Sequence, residues 1–214
     1  MPDEHPLLPI YLRAARGEFP PADGQAVFMP SLQPDQAAVV SFTARAYIAT
    51  SYSRDDFADL RLDGFGSAIQ PNFLARLAGP TGHIFMTDMT LVGRGKGGGS
   101  LPLRDDFEDH IRVRYARTLR NNVRVHGDER GFITLSNGLA GRPEMSIELS
   151  SGTENRGTGR ALIGEALKLT PKGEPLFAAV SPGNARSVRA FLAMGFVPIG
   201  SEVIIDHRFV GPEP

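Results

Sequence analysis

With 214 residues, the chain is long enough for one large domain or two small ones with a substantial core. A formal net charge of -1 argues against general binding of nucleic acid or of an anionic membrane surface, and the lack of any cysteine excludes a thiol nucleophile, a thiolate zinc site and disulfides. No apolar run reaches the length of a membrane span, and the start Met1-Pro2-Asp3-Glu4-His5-Pro6 lacks the basic region of a signal peptide, so a cytoplasmic location is the expectation.

In chain order, Leu8, Leu12 and Ala15 share one side of a short helix over 6–18, which Phe19-Pro20-Pro21-Ala22-Asp23-Gly24 breaks. Gln25 to Met29 reads as a first strand. Pro34-Asp35 is expected to open a helical stretch reaching Tyr52, followed by a second helical region from Arg54 to Leu77 that is broken near Gly64 to Pro71. His83 to Val92 alternates as a strand with both faces partly buried. Gly93-Arg94-Gly95-Lys96-Gly97-Gly98-Gly99-Ser100 has the wrong order for a P-loop; its composition predicts a mobile surface loop, whose functional role would be that of a lid. Arg104 to Arg120 is helical in its second half, with Ile111, Tyr115 and Leu119 as its apolar stripe. Arg112, Arg114, Arg117 and Arg120 spread around the remainder, either as a solvated face or as a site for an acidic group. Asn122 to His126 and Phe132 to Leu135 form a hairpin.

The segment Glu144 to Gly200 is the most informative. Glu144 to Leu149 alternates as a half-buried strand, and a polar turn leads into Arg156-Gly157-Thr158-Gly159-Arg160-Ala161. There a helix starts, carrying Leu162, Ile163, Ala166, Leu167 and Leu169 on one stripe. A glycine turn feeding a helix N-terminus is an anion site, because the first N–H groups lack intrahelical partners and the dipole is positive there. Arg156 and Arg160 add charge, so a phosphate or pyrophosphate is the expected ligand. The third glycine of a Rossmann fingerprint and the Gly-Lys-Ser/Thr of a P-loop are both lacking. Leu176 to Val180 is a short buried strand, Asn184 an N-cap, Ala185 to Met194 a helix, and Phe196 begins another strand.

On these residues the chain resembles the GNAT superfamily of N-acetyltransferases, which bind acetyl-CoA. The first signature of that superfamily is a basic or amide residue, two of any kind, Gly, any, then Gly or Ala, after a strand; Arg156, Gly159 and Ala161 fit it. In the register that best suits the helix, Glu154 falls where Arg or Gln is usual, a departure. The second signature is matched at every spacing by Asn184, Ser187, Phe191, Gly195 and Phe196. The resemblance covers about residues 122–205, with residues 1–105 a divergent N-terminal portion of a single 1–214 GNAT-like domain.

What the resemblance implies is an α+β fold, three-layered α/β/α, around a mixed, mostly antiparallel sheet splayed between two central strands. Leu149 and Ser150 would offer main-chain groups to the pantetheine of acetyl-CoA. Arg156, Gly157, Thr158, Gly159 and Arg160 would hold the pyrophosphate, while Asn184, with Ser187 in the same signature, would touch the pantetheine arm. No metal is implied. The chemistry would be direct attack of a primary amine, on a small molecule or peptide, upon the thioester, with Glu148 or Glu144 as base. Many relatives use a Tyr as acid where Phe191 stands here, so Tyr47, Tyr52, Tyr115 or water would substitute. A non-catalytic acyl-CoA-binding or sensing module is the alternative, and the resemblance is compatible with a homodimer.

Overall fold

A computed structural model describes residues 4–153 and 157–208. In chain order its elements are α1 (Leu7–Ala15), β1 (Ala26–Met29), β2 (Gln36–Phe42), β3 (Arg45–Ala49), α2 (Pro71–Ala78), β4 (His83–Ile84), β5 (Asp88–Arg94), α3 (Ile111–Leu119), β6 (Asn121–Asp128), β7 (Gly131–Asn137), β8 (Pro143–Leu149), α4 (Thr158–Leu169), β9 (Pro175–Val180), α5 (Ala185–Ala193) and β10 (Val197–Asp206). The strands are mixed in direction and accompanied by helices, the α+β class that the sequence implied. The chain packs as two compact units, one of 1–89 with 199–214 and one of 90–198.

The first unit orders its strands β1-β3-β2-β10, with β4 also on β10. The helix expected from Pro34 to Tyr52 is instead the hairpin β2–β3. Ala37, Ala38, Val39 and Val40 are buried in unbroken succession, as are Ala46 to Ala49, so both faces of the strands are covered. A continuous apolar run of this length fits a two-sided strand as well as a helix, and β-branched Val39, Val40 and Ile48 favour the strand. The turn requires Ala44 at φ 54, which its small side chain tolerates. The expected region from Arg54 to Leu77 resolves into short 3-10 turns and α2, whose N1 residue is Pro71.

The second unit orders its strands β5-β9-β8-β7-β6. The hairpin β6–β7 has a register irregularity between Asn121 and Arg124, and the antiparallel pair β7–β8 is in register from Gly131↔Leu149 to Asn137↔Pro143. One face of β8 carries Glu144, Ser146 and Glu148, beside Ser136, Thr134 and Phe132 of β7. Phe132 packs with Val113 of α3, Val125 and Phe107. The apolar side of α3 is therefore Val113 and Ala116, not the expected Ile111 and Tyr115, which are exposed. Arginines at 112, 114, 117 and 120 obscured which stripe was the buried one.

The glycine-rich stretch 93–100, expected as a mobile loop or lid, is fastened down. The N–H groups of Lys96, Gly97 and Gly99 donate to the carbonyls of Leu167 (2.6 Å), Thr170 (3.0 Å) and Lys168 (3.0 Å), while Gly95 donates to Glu174 (2.8 Å) and accepts from Gly173 (2.9 Å). These carbonyls include the groups that the last turn of α4 leaves without helical partners. The glycines are there for close approach: a Cβ on Gly95 would lie 2.1 Å from the Pro171 carbonyl oxygen, and one on Gly99 would lie 2.7 Å from the Leu169 nitrogen.

Candidate functional site

Two parallel strands of the second unit end at the same edge, each feeding a helix. β8 and β9 pair at Glu144↔Phe177 alone among the described residues, so Met145–Leu149 and Ala178–Val180 run on without pairing to each other. Beyond the end of β8 comes α4, and beyond the end of β9 comes α5. An opening between parallel strands, bordered by two helix N-termini, is where a fold of this kind takes an anionic ligand.

The turn from β8 to α4 is built by hydroxyls. Ser150 N–H donates to the Arg130 carbonyl (3.0 Å), and the Ser150 carbonyl accepts from the Thr153 N–H (3.1 Å) and hydroxyl (2.6 Å). The Thr158 hydroxyl then donates to the Thr153 carbonyl (2.7 Å). Thr153 was not singled out from the sequence, where it is one residue of a generic polar turn. Ser150 thus has its main-chain groups engaged within the turn, and Leu149 pairs with Gly131. Gly157 takes φ 80, the left-handed conformation that glycine adopts without strain, and its carbonyl accepts from Ala161 N–H (3.0 Å). The N–H groups of Thr158, Gly159 and Arg160 have no protein acceptor among the described residues. The nearest atom to a Cβ on Gly159 would be Leu149 Cδ1 at 3.9 Å, leaving the first turn of α4 unobstructed, and Arg160 is exposed beside it. Arg156 and Glu154 lie outside the described residues.

Asn184 caps α5, its side-chain oxygen accepting from Ser187 N–H (3.1 Å), which leaves its exposed amide nitrogen as a donor. Phe191 is buried and meets Phe196 edge to face at 4.9 Å. It is a core residue, and a Cβ on Gly93 would strike the same Phe196 ring at 2.8 Å.

The two carboxylates on β8 have separate surroundings. Glu148 is half-buried and ion-paired to Arg112 of α3, a partner that sequence spacing did not reveal. Glu144 is buried between two guanidiniums: its Oε1 accepts from Arg120 (2.7 Å), and its Oε2 from Nη2 (2.8 Å) and Nε (3.1 Å) of the fully buried Arg142. Burial alone would raise its pKa, but the charges of Arg120 and Arg142, together with hydrogen bonds from Arg142 and the Leu139 backbone, hold it below the ordinary glutamate value. Both carboxylate oxygens of Glu144 thus carry guanidinium partners. These contacts fix Glu144 between the two arginines, in surroundings unlike those of Glu148. Arg142 also lies over the Phe177 ring at 5.3 Å, so the cluster sits at the single point where β8 and β9 meet.

Among the described residues no group of three or more His, Asp or Glu side chains has metal-site geometry, and no helix is long and apolar enough to cross a membrane. No family model matches the chain, and no curated protein matches it. Among solved structures, a protein from Novosphingobium aromaticivorans assigned as an acetyltransferase of the GNAT family matches with 10% identity, over 61% of this chain and 69% of that chain, at a TM-score of 0.43. A likeness that distant assigns no residue a role, so the functional reading below rests on this chain's own motifs and geometry.

Proposed function

We propose that the chain is an acetyl-CoA-dependent N-acyltransferase that transfers an acyl group to a primary amine of a small molecule or peptide. The observation that carries this reading is that β8 and β9 pair at Glu144↔Phe177 alone among the described residues, with the N–H groups of Thr158, Gly159 and Arg160, which meet no acceptor among the described residues, at the edge beyond. These N–H groups and the Arg160 guanidinium would hold the pyrophosphate, and the left-handed Gly157 brings the backbone close without a side chain in the way. The free amide donor of Asn184 and the unpaired edge of β8 near Leu149 would line the pantetheine arm. When bound, acetyl-CoA supplies an activated acyl group. Glu148 is then the carboxylate left to accept the amine's proton, either directly or through water, once Arg112 yields it.

A second reading has its own observation. Phe191 is locked in the core against Phe196 and offers no proton to a leaving thiolate, which suits a module that binds acyl-CoA without turnover.

One experiment separates the readings. Thermal melting of the full chain with acetyl-CoA at about a hundred times its dissociation constant should add roughly 2.7 kcal/mol, a rise of several degrees. Gly157→Asp places a carboxylate and a strained left-handed residue at the anion site, and should abolish that shift. A wild-type shift followed by thiol release that depends on added amine supports the enzyme. A shift without release under any amine supports the binding module, and no shift at saturating ligand removes both.

A further inference from the structure

A cavity of about 450 Å³ opens within the first unit, between the C-terminal turn of α1, the proline segment after it and β3. That size is within the usual range for small-molecule sites. Its wall is chemically two-sided.

On the polar side stand Arg13, Arg45 and Tyr47. Tyr47 is 6% exposed, its ring held edge-on by Phe42 at 6.1 Å and stacked under the Arg45 guanidinium at 5.5 Å. Its hydroxyl makes no hydrogen bond to the described residues, yet it is not among the polar atoms sealed from solvent without a partner. The buried, immobilised ring is part of the cavity wall. Arg45 is oriented by its Nη1 bond to the Asp23 carboxylate; its Nε is buried without a partner, and its Nη2 meets none among the described residues. The Arg13 guanidinium pairs with no carboxylate among the described residues. Glu18, the one acid on the wall, lies 3.7 Å from Arg16. At the end of α1 the Arg13 and Ala14 carbonyls accept from the N–H groups of Arg16, Gly17 and Glu18 at 2.8 to 3.0 Å. Uncompensated charge on this wall is thus positive.

The other side is apolar and stiff. Ile10, Phe19, Pro20 and Pro21 line the cavity, and Phe19 is a large ring left 50% exposed. Two prolines in succession fix the backbone that presents it.

We propose that this cavity binds a small monocarboxylate with a flat apolar body. The carboxylate lies between Arg13 and Arg45 and accepts from the Tyr47 hydroxyl, while the body packs on Phe19, Ile10 and the prolines. A planar, two-oxygen anion matches a guanidinium fork, and the apolar wall selects against a fully hydrated ion such as phosphate. The site is built wholly from the first unit and stands or falls independently of the acyl-CoA reading.

The test is titration of the full-length 15N-labelled protein with phenylacetate, followed by amide shifts, with inorganic phosphate and benzyl alcohol as separate arms. Phenylacetate should give saturable shifts centred on Arg13, Phe19, Arg45 and Tyr47, and each half-ligand should bind at least about tenfold more weakly. Arg13→Gln should weaken phenylacetate about tenfold without lowering Tm, because the exposed Arg13 side chain has no partner to lose among the described residues, and Tyr47→Phe should weaken it a few-fold. The proposal is overturned if phenylacetate gives no saturable shift, if shifts centre elsewhere, if phosphate or benzyl alcohol binds as tightly, or if Arg13→Gln binds like the wild type.

Discussion

Glu144 illustrates what a buried charge does when two partners share it. Arg142 has no exposed surface and Arg120 little, so the cluster places two guanidiniums and one carboxylate in the interior, with Arg120 Nη1 unpartnered. Gly138 allows the crowding, since a Cβ there would lie 2.1 Å from Glu144 Oε2. Removing the one anion leaves two buried cations facing each other. Glu144→Gln should therefore destabilise the fold by about 3–5 kcal/mol, read by urea unfolding. The pH dependence has a definite sign. The folded-state pKa is lowered relative to the ordinary 4.5, so the unfolded chain takes up the proton first as pH falls. The contribution of Glu144 is fully present above the ordinary glutamate value and is lost as pH falls below it towards the lowered folded value. Asp128, held down chiefly by its hydrogen bond from the Arg130 side chain, acts in the same direction from a more exposed position. In Glu144→Gln the acid limb of the stability profile should flatten below the ordinary glutamate value, where the wild type loses this contribution; an unchanged limb would show that the cluster does not titrate with folding.

At the scale of elements, the fastening of 93–100 onto the end of α4 ties the helix at the end opposite to its proposed anion-binding turn. Gly95→Ala would drive a methyl group into the Pro171 carbonyl and the Thr170 side chain, both within 2.8 Å. Overpacking of that kind typically costs about 1–3 kcal/mol, and hydrogen exchange at the Lys96, Gly97 and Gly99 amides should accelerate in step. Exchange that stays as slow as in the wild type would mean that the strap does not depend on the Gly95 approach. This segment also shows where sequence reasoning stops. Glycine content signals freedom in the unfolded chain, but the same absence of Cβ permits tight docking, and only the partner surface decides between them. The hairpin β2–β3 failed for a related reason: its burial on both faces removes the alternation that identifies a strand. By contrast α1, β1, the hairpin β6–β7 and the run from β8 to β10 were legible, because caps, turns and alternation agree there. Within the candidate site, Gly157, Asn184 and the strand ends could be read locally. The Arg112 and Arg142 partners of Glu148 and Glu144 could not, because Glu148 lies 36 residues from Arg112, and Arg142 shares its strand region with no spacing rule to mark a buried pair.

At the scale of the whole molecule, the first unit is assembled from both ends of the chain. Residues 1–89 supply α1, β1, β2, β3, α2 and β4, but β10 returns from residue 199 onward to complete the sheet. It pairs with β2 from Ser201↔Ser41 to Asp206↔Gln36 and with β4 at Ile205↔Ile84. Val203 and Ile205 are buried among Val39, Ile48, Phe73 and Leu77, and Glu202 holds the Tyr11 hydroxyl at 3.2 Å. A chain ended after Pro198 loses all of this. β2 acquires an open edge, β4 loses its pairing with β10, and the buried Tyr11 hydroxyl loses its bond to Glu202. The elements of residues 90–198 keep every pairing described within that unit. The truncated chain should thus show rapid hydrogen exchange throughout β2 and β3 while the amides of β7 and β8 remain protected. Equal loss of protection in both sets would mean that the units fold as one cooperative body, and protection of β2 and β3 would mean that the first unit needs no closing strand.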